Sequence, residues 1–208
     1  MARMDCVLNR PNLQFPGEIL YATSEADTTE FANRILDLPG DEIVVGFDLE
    51  WPVKYTSEQQ RAAVIQICPS DQFCCVFQLS ALSGIPFSLR RVILAQKIKK
   101  VGVGVCNDLW KLERDYKIPV HGVVQNACVE LSPYANAVLN CSQNWSLDGL
   151  CRRFLKHTIP KDDAVRCSQW DQHPLTQDQL KYAATDAYAS VAIFNALKQT
   201  AERRNLRN

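Results

Sequence analysis

The sequence predicts an α/β chain in which a central mixed β-sheet is flanked by α-helices. Two observations carry that expectation. Short apolar runs follow one another at hairpin-like spacing through the first half, and segments of helical period dominate the second half, with one strand-like run between them. Residues 16–22 (PGEILYA) read as a short strand. Asp27 with Glu30 three residues on marks a helix start, after which Phe31, Ile35 and Leu38 recur at helical spacing. Residues 42–50, 62–68 and 74–79 read as strands, and 87–95 as a helix. KKVGVGV at 99–105 reads as a buried strand feeding a helix over about 107–116. Residues 129–139 and 146–155 carry apolar side chains three and four apart, with Ser146 as N-cap of the second segment. In the last helix Thr176 and Gln179 form a capping box, and Leu180, Ala183, Ala187, Val191, Phe194 and Leu197 make one apolar stripe.

Composition bounds the function. The chain has 208 residues, of which 47% are hydrophobic, with 23 Lys+Arg against 23 Asp+Glu. That is enough apolar chain for a packed core and too little net charge for a disordered segment. No run approaches the ~18 apolar residues of a bilayer span, and the first residues lack the apolar stretch of a secretory leader, so no membrane association or export is expected. Zero net charge gives no bulk attraction for a polyanion, so any such partner must be recognised by a site. Nine cysteines, scattered and without a C-x-x-C, read as free, mostly buried thiols in a reducing compartment; Cys74 and Cys75 read as packing. No repeat or linker divides the chain, and one domain over 1–208 is expected.

Three places could carry chemistry. In IVVGFDLE, alternation puts Ile43, Val45, Phe47 and Leu49 on one face of a strand and Asp48 with Glu50 on the other, their Cα atoms ~7 Å apart. Two carboxylates side by side on an apolar strand repel, and a hard divalent cation is their natural counter-charge; a frayed, solvated strand end would also account for them. Tyr182 and Asp186 project from one helix face at i and i+4, in a pairing that packing alone also explains. Asp108 follows the strand at 99–105 and opens a helix, where it complements the helix dipole with or without a further role.

Taken in order, these features resemble the DEDD superfamily of 3′–5′ exonucleases. FDLEW matches the first exonuclease motif, VGVGVCNDLWKL the second and YAATDAY the third. Tyrosine four residues before the last Asp, with Lys181 where a histidine would otherwise stand, points to the tyrosine subgroup. GFDLEWP, VIQIC, NWSL, RCSQW and PLTQDQ extend the similarity to the Werner-type exonuclease domains and their stand-alone relatives, over a core of about 16–198.

That resemblance implies a ribonuclease-H-like (DnaQ-like) fold and metal-dependent hydrolysis at 3′ ends, releasing nucleoside 5′-monophosphates. Two divalent cations, Mg²⁺ or Mn²⁺, would sit ~3.5–4 Å apart. Asp48 would bridge both, Glu50 and Asp186 would complete the shell of the ion that activates water, and Asp108 would hold the second, directly or through a water. Tyr182 would orient the attacking water, its ordinary pKa near ~10 making it a poor base. DNA 3′ ends, single-stranded or recessed, are the expected substrate. RNA trimming like that of ribonuclease D and a non-catalytic end-binding module are the alternatives. A helicase acting in trans, a repair or replication role and a nuclear location follow from the same resemblance, with the cytoplasm left open. Arg61 could touch a phosphate or be a strand-edge charge, and Trp110 could stack on a base. Trp51, Trp145 and Trp170 are assigned to the core. The groups Lys97, Lys99, Lys100 and Arg152, Arg153, Lys156 read as solvated faces that could also track phosphates.

Overall fold

The computed structural model describes residues 10–53, 60–160 and 162–206. Six strands form one sheet in the order β1-β4-β3-β2-β5-β6. They are β1 (Glu18–Ala22), β2 (Ile43–Glu50), β3 (Val64–Cys68), β4 (Phe73–Gln78), β5 (Ile98–Gly102) and β6 (Cys128–Glu130). β2, β3 and β4 pair antiparallel, as their spacing predicted, while β1 on β4, β5 on β2 and β6 on β5 are parallel. The sheet is therefore mixed.

Helices cover both faces. α1 (Glu25–Leu36), α2 (Phe87–Leu94), α3 (Val105–Tyr116) and α4 (His121–Asn126) pack Ile35, Leu89, Val92, Leu109 and Val123 into one core with Ile43, Val45, Phe47 and Leu49 of β2. The other face takes α5 (Leu131–Leu139), α6 (Leu147–Leu150) and α8 (Gln177–Asn205), with α7 (Asp163–Arg166) beside them. α8 has the expected capping box at Thr176 and Gln179, and its six-residue stripe is buried. Gly46 decides how closely α8 and β2 approach. A Cβ there would lie 1.8 Å from the carbonyl oxygen of Ala187, so only glycine permits the crossing.

Several boundaries differ from the sequence reading. Ser24, not Asp27, caps α1, its Oγ accepting from the Asp27 N–H. β5 stops at Gly102 and α3 starts at Val105, because Gly104 takes φ 85° and turns the chain. Val129 and Glu130, at the start of the segment expected as helix, belong to β6 instead, since the open edge of β5 pairs with Cys128–Glu130. The segment after Ser146 is one α-turn followed by a π-turn at Cys151–Leu155. No described helix is long and apolar enough to cross a membrane. The eight described cysteines are free, but only Cys68, Cys74, Cys75 and Cys151 are buried; Cys6 lies outside the described residues.

Candidate active site

The site forms where the end of β2 meets the middle of α8. The even-numbered face of β2 turns toward α8, so Asp48 and Glu50 point at the helix that carries Asp186 one turn beyond Tyr182. One carboxylate oxygen from each of Asp48, Glu50 and Asp186 lies within 4.8 Å of the others. Leu49 N–H donates to Asp48 Oδ1 at 2.9 Å. Tyr182 stands one helical turn before Asp186, whose Oδ1 is buried with no partner.

Negative charge is concentrated here, and among the described residues no salt bridge reaches Asp48, Glu50 or Asp186. Burial raises the pKa of Asp48 to about 6, the Leu49 N–H opposing. Glu50 is held well above the carboxylate range by burial, then by Asp48, Asp186 and Asp108, against the Arg166 guanidinium. Asp186 is pushed to about 8 by burial and Asp48, with the Tyr182 hydroxyl opposing. Asp108, 9% exposed in the first turn of α3, stands outside the tight group of three but in the field of Asp48. Burial, Asp48 and Glu130 raise it to about 9, with Lys111 opposing. Tyr182 is raised far above its ordinary value, by burial first and then by Asp186, Glu50 and Asp48. The phenol therefore stays protonated at neutral pH.

The other expected residues divide. Trp110 is 37% exposed on α3, its ring set edgewise against His121 at 6.0 Å. Arg61 is already engaged: its guanidinium stacks 4.4 Å from the Tyr116 ring and donates to the Asp115 carbonyl at 2.7 Å. Trp51 packs against the core under Lys111 Nζ at 4.7 Å, Trp170 is fully buried and Trp145 is half-buried. Lys100 is no surface charge. It is fully buried, donates to the Ala95 carbonyl at 2.9 Å, and burial lowers its pKa to about 7. Lys99 pairs with Glu42 at 2.5 Å and Arg152 with Asp148 at 2.9 Å.

Three features escaped the sequence reading. Arg166 and Lys111 are the cations whose charge reaches Glu50 and Asp108. Lys111 stands one helical turn after Asp108, a spacing that could have flagged it. Glu130 accepts from Gly104 N–H and Cys106 N–H, both at 2.8 Å, and so fixes the α3 terminus that bears Asp108. A cleft of about 300 Å³ opens onto Tyr182 and Asp186 between Phe15, Ile159 and Val165. Only the folded chain brings residues so distant in sequence together.

The sequence profile of the 3′–5′ exonuclease family matches residues 19–202. The mouse bifunctional 3′–5′ exonuclease/ATP-dependent helicase WRN is 42% identical over 190 residues, which are 91% of this chain and 13% of that protein. A 3′–5′ exonuclease of Drosophila grimshawi is 32% identical over 194 residues, 91% of this chain and 59% of the relative. The chain thus spans a small part of the first protein and a little over half of the second. Among solved structures, the EXO domain of Aedes aegypti Nibbler matches with a TM-score of 0.75 at 16% identity over 89% of each chain. Escherichia coli RNase D, an exoribonuclease involved in structured RNA processing, gives 0.71 at 16% identity over 90% of this chain and 46% of its own. The EXD2 exonuclease domain soaked in Mg and dGMP gives 0.51 at 28% identity over 92% and 94%. Nibbler and RNase D establish the fold, which is the expected ribonuclease-H-like one. With a profile match that spans the sheet, α8 and every acidic residue of the site, this chain belongs to the 3′–5′ exonuclease family.

Proposed function

We propose that this chain is a metal-dependent 3′–5′ exonuclease of the DEDD tyrosine subgroup that hydrolyses DNA from 3′ ends and releases nucleoside 5′-monophosphates. The observation that carries the reading is the group of three carboxylates within 4.8 Å, each with its pKa raised by burial or repulsion. Such an all-oxygen set, with Asp186 Oδ1 buried and unpaired, fits a hard dication such as Mg²⁺ or Mn²⁺. Asp48, Glu50 and Asp186 would hold one ion, and Asp48 with Asp108 a second. Two such ions supply the charge that stabilises the attacking and leaving oxygens of an in-line displacement, and they acidify water.

The chain's own groups do the rest. Asp48 is held in place by the Leu49 N–H. Tyr182, protonated and one helical turn from Asp186, orients water and does not act as the base. The protons that the four carboxylates retain without metal must leave before cations enter, so activity rises with pH across neutrality.

The Werner-type motifs are the reason for taking DNA as the substrate, and the 42% identity to a mouse 3′–5′ exonuclease/ATP-dependent helicase accords with those motifs. By the same likeness we place a helicase among its partners in trans, and its work in repair or replication in the nucleus. RNA trimming is the second reading, favoured by the fold shared with RNase D.

The test is digestion of a 5′-labelled, recessed-3′ DNA duplex with Mg²⁺, Mn²⁺ or chelator, beside a matched RNA. A metal-dependent ladder shortening from the 3′ end is expected, absent for the Asp48→Ala/Glu50→Ala protein, which should stay folded by circular dichroism. RNA trimming with negligible DNA cleavage would replace DNA by RNA. Undiminished hydrolysis by the double variant would remove these carboxylates from the reaction. Strand binding without hydrolysis of either polymer would make the chain an end-binding module.

A further inference from the structure

Gln66 is a buried polar residue that the scheme above leaves unused. It sits at the centre of β3 and is fully buried, yet neither its Nε2 nor its Oε1 has a partner. A primary amide placed out of water with its donors and acceptor unmet is costly, and a buried group of this kind calls for an explanation.

Its position supplies one. The β2–β3 register sets Gln66 directly opposite Asp48. Directly opposed residues project from the same face of a sheet, with Cβ atoms ~4.5–5.5 Å apart. The alternate residues of the same strand, Val64 and Cys68, pack against Ala183, Ala184 and Ala187 of α8, and so does Val76, the register partner of Gln66 on β4. The carboxamide is thus enclosed between the sheet and a helix face that offers it mostly methyl groups. Asp186 is the acid on that stretch of helix, and its Oδ1 is the complementary orphan, a buried acceptor with no donor. Ile65 and Ile67, in the opposite core, hold β3 in place.

We propose that Gln66 is a positioning residue of the metal centre: through one enclosed water its carboxamide hydrogen-bonds the Asp48 and Asp186 carboxylates and fixes the orientation in which they take a divalent cation. The inference rests on the metal-dependent reading above. A neutral amide suits the role. It donates to carboxylates without the charge that would make a lysine or arginine compete with the cation, and without the repulsion a further acid would add. Groups that orient metal ligands in this way typically contribute about 10–100-fold to metal affinity or activity.

Gln66→Met removes both polar atoms at similar volume, and Gln66→His keeps an N–H donor. Mn²⁺ binding is followed by the electron paramagnetic resonance of the free ion, with melting curves in chelator and in Mn²⁺, and with kcat and KM on the recessed-3′ DNA. Gln66→Met should melt in chelator at or above the wild-type temperature, because an unmet amide is gone. It should bind Mn²⁺ about 10–100-fold more weakly, with a smaller Mn²⁺-induced rise in Tm. Its kcat should fall by a similar factor at subsaturating metal and recover at high metal, with KM for DNA unchanged. Gln66→His should recover part of the affinity. Mn²⁺ affinity within about twofold of wild type in Gln66→Met would overturn the proposal, whatever its melting temperature. If that variant does not fold, wild-type affinity in Gln66→Asn, whose shorter amide falls short of the carboxylates, would overturn it equally. Wild-type protein that binds no Mn²⁺ would overturn the metal-dependent reading and this inference together.

Discussion

Asp186 concentrates the electrostatic problem of the site in one side chain. It is 8% exposed, stands beside Asp48, and its pKa is raised to about 8. Asp108 rises to about 9, and Glu50 moves the same way. Above about pH 4 the unfolded chain has released protons that the metal-free fold still holds, so stability falls as pH climbs toward those raised values. In chelator, Tm should therefore drop between about pH 5.5 and 8.5, by the equivalent of about 2 kcal/mol or roughly 4–8 °C at this chain length. Asp186→Asn should flatten that slope and raise Tm at the alkaline end, and Mg²⁺ should flatten it in the wild type. Scanning fluorimetry over that range checks all three; a metal-free Tm that rises with pH would contradict the assignment. Asp48 and Glu50 were legible from strand alternation, and Tyr182 with Asp186 from helical spacing. Asp108 was legible as an acid that opens a helix after a strand, and its metal role only through the motif around it. Arg166 and Gln66 were not legible, because each acquires its meaning from a neighbour more than 15 residues away in sequence.

At the scale of elements, the crossing of α8 over β2 sets the distance between Asp186 and Asp48. Gly46 is the fulcrum, with no room for a methyl group beside the Ala187 carbonyl. Gly46→Ala must push backbone against backbone, which flexible side chains cannot relieve. Urea unfolding should show a loss of about 3 kcal/mol or more. Activity per folded molecule should also fall, because displacing α8 separates the carboxylates even where the fold survives; wild-type activity at saturating metal would show that the crossing is not what sets the site. The elements themselves were legible in proportion to how local their causes are. The capping box at Thr176 and Gln179, the stripe on α8 and the alternation on β2 are all written within a few residues. Val129 and Glu130 of β6 read as helix because Val129 continues smoothly into the apolar spacing of α5. The strand state of β6 comes from pairing with β5, a partner about 28 residues away that no local pattern announces.

At the scale of the whole molecule, a neutral chain presents an acidic centre to a polyanion. The 23 basic and 23 acidic residues cancel, and many of the basic groups have local work. Lys99 is paired with Glu42, Lys111 with Asp115, Arg152 with Asp148 and Arg166 with Asp163, while Lys100 is buried and Arg61 lies on Tyr116. Long-range steering of a nucleic acid is therefore weak, and on the proposed function the DNA would be held by its 3′ end at the metal centre and by uncharged contacts such as Trp110, exposed on α3 two residues beyond Asp108. A plot of log kcat/KM against log KCl, at saturating Mg²⁺, should accordingly have a slope of about −2 or shallower, because counterion release scales with the number of phosphates neutralised. Between 50 and 200 mM salt that amounts to a loss of about 16-fold at most. A slope near about −6 would mean that basic side chains track the backbone over many nucleotides, and the local pairing of these residues would then have to open when DNA binds.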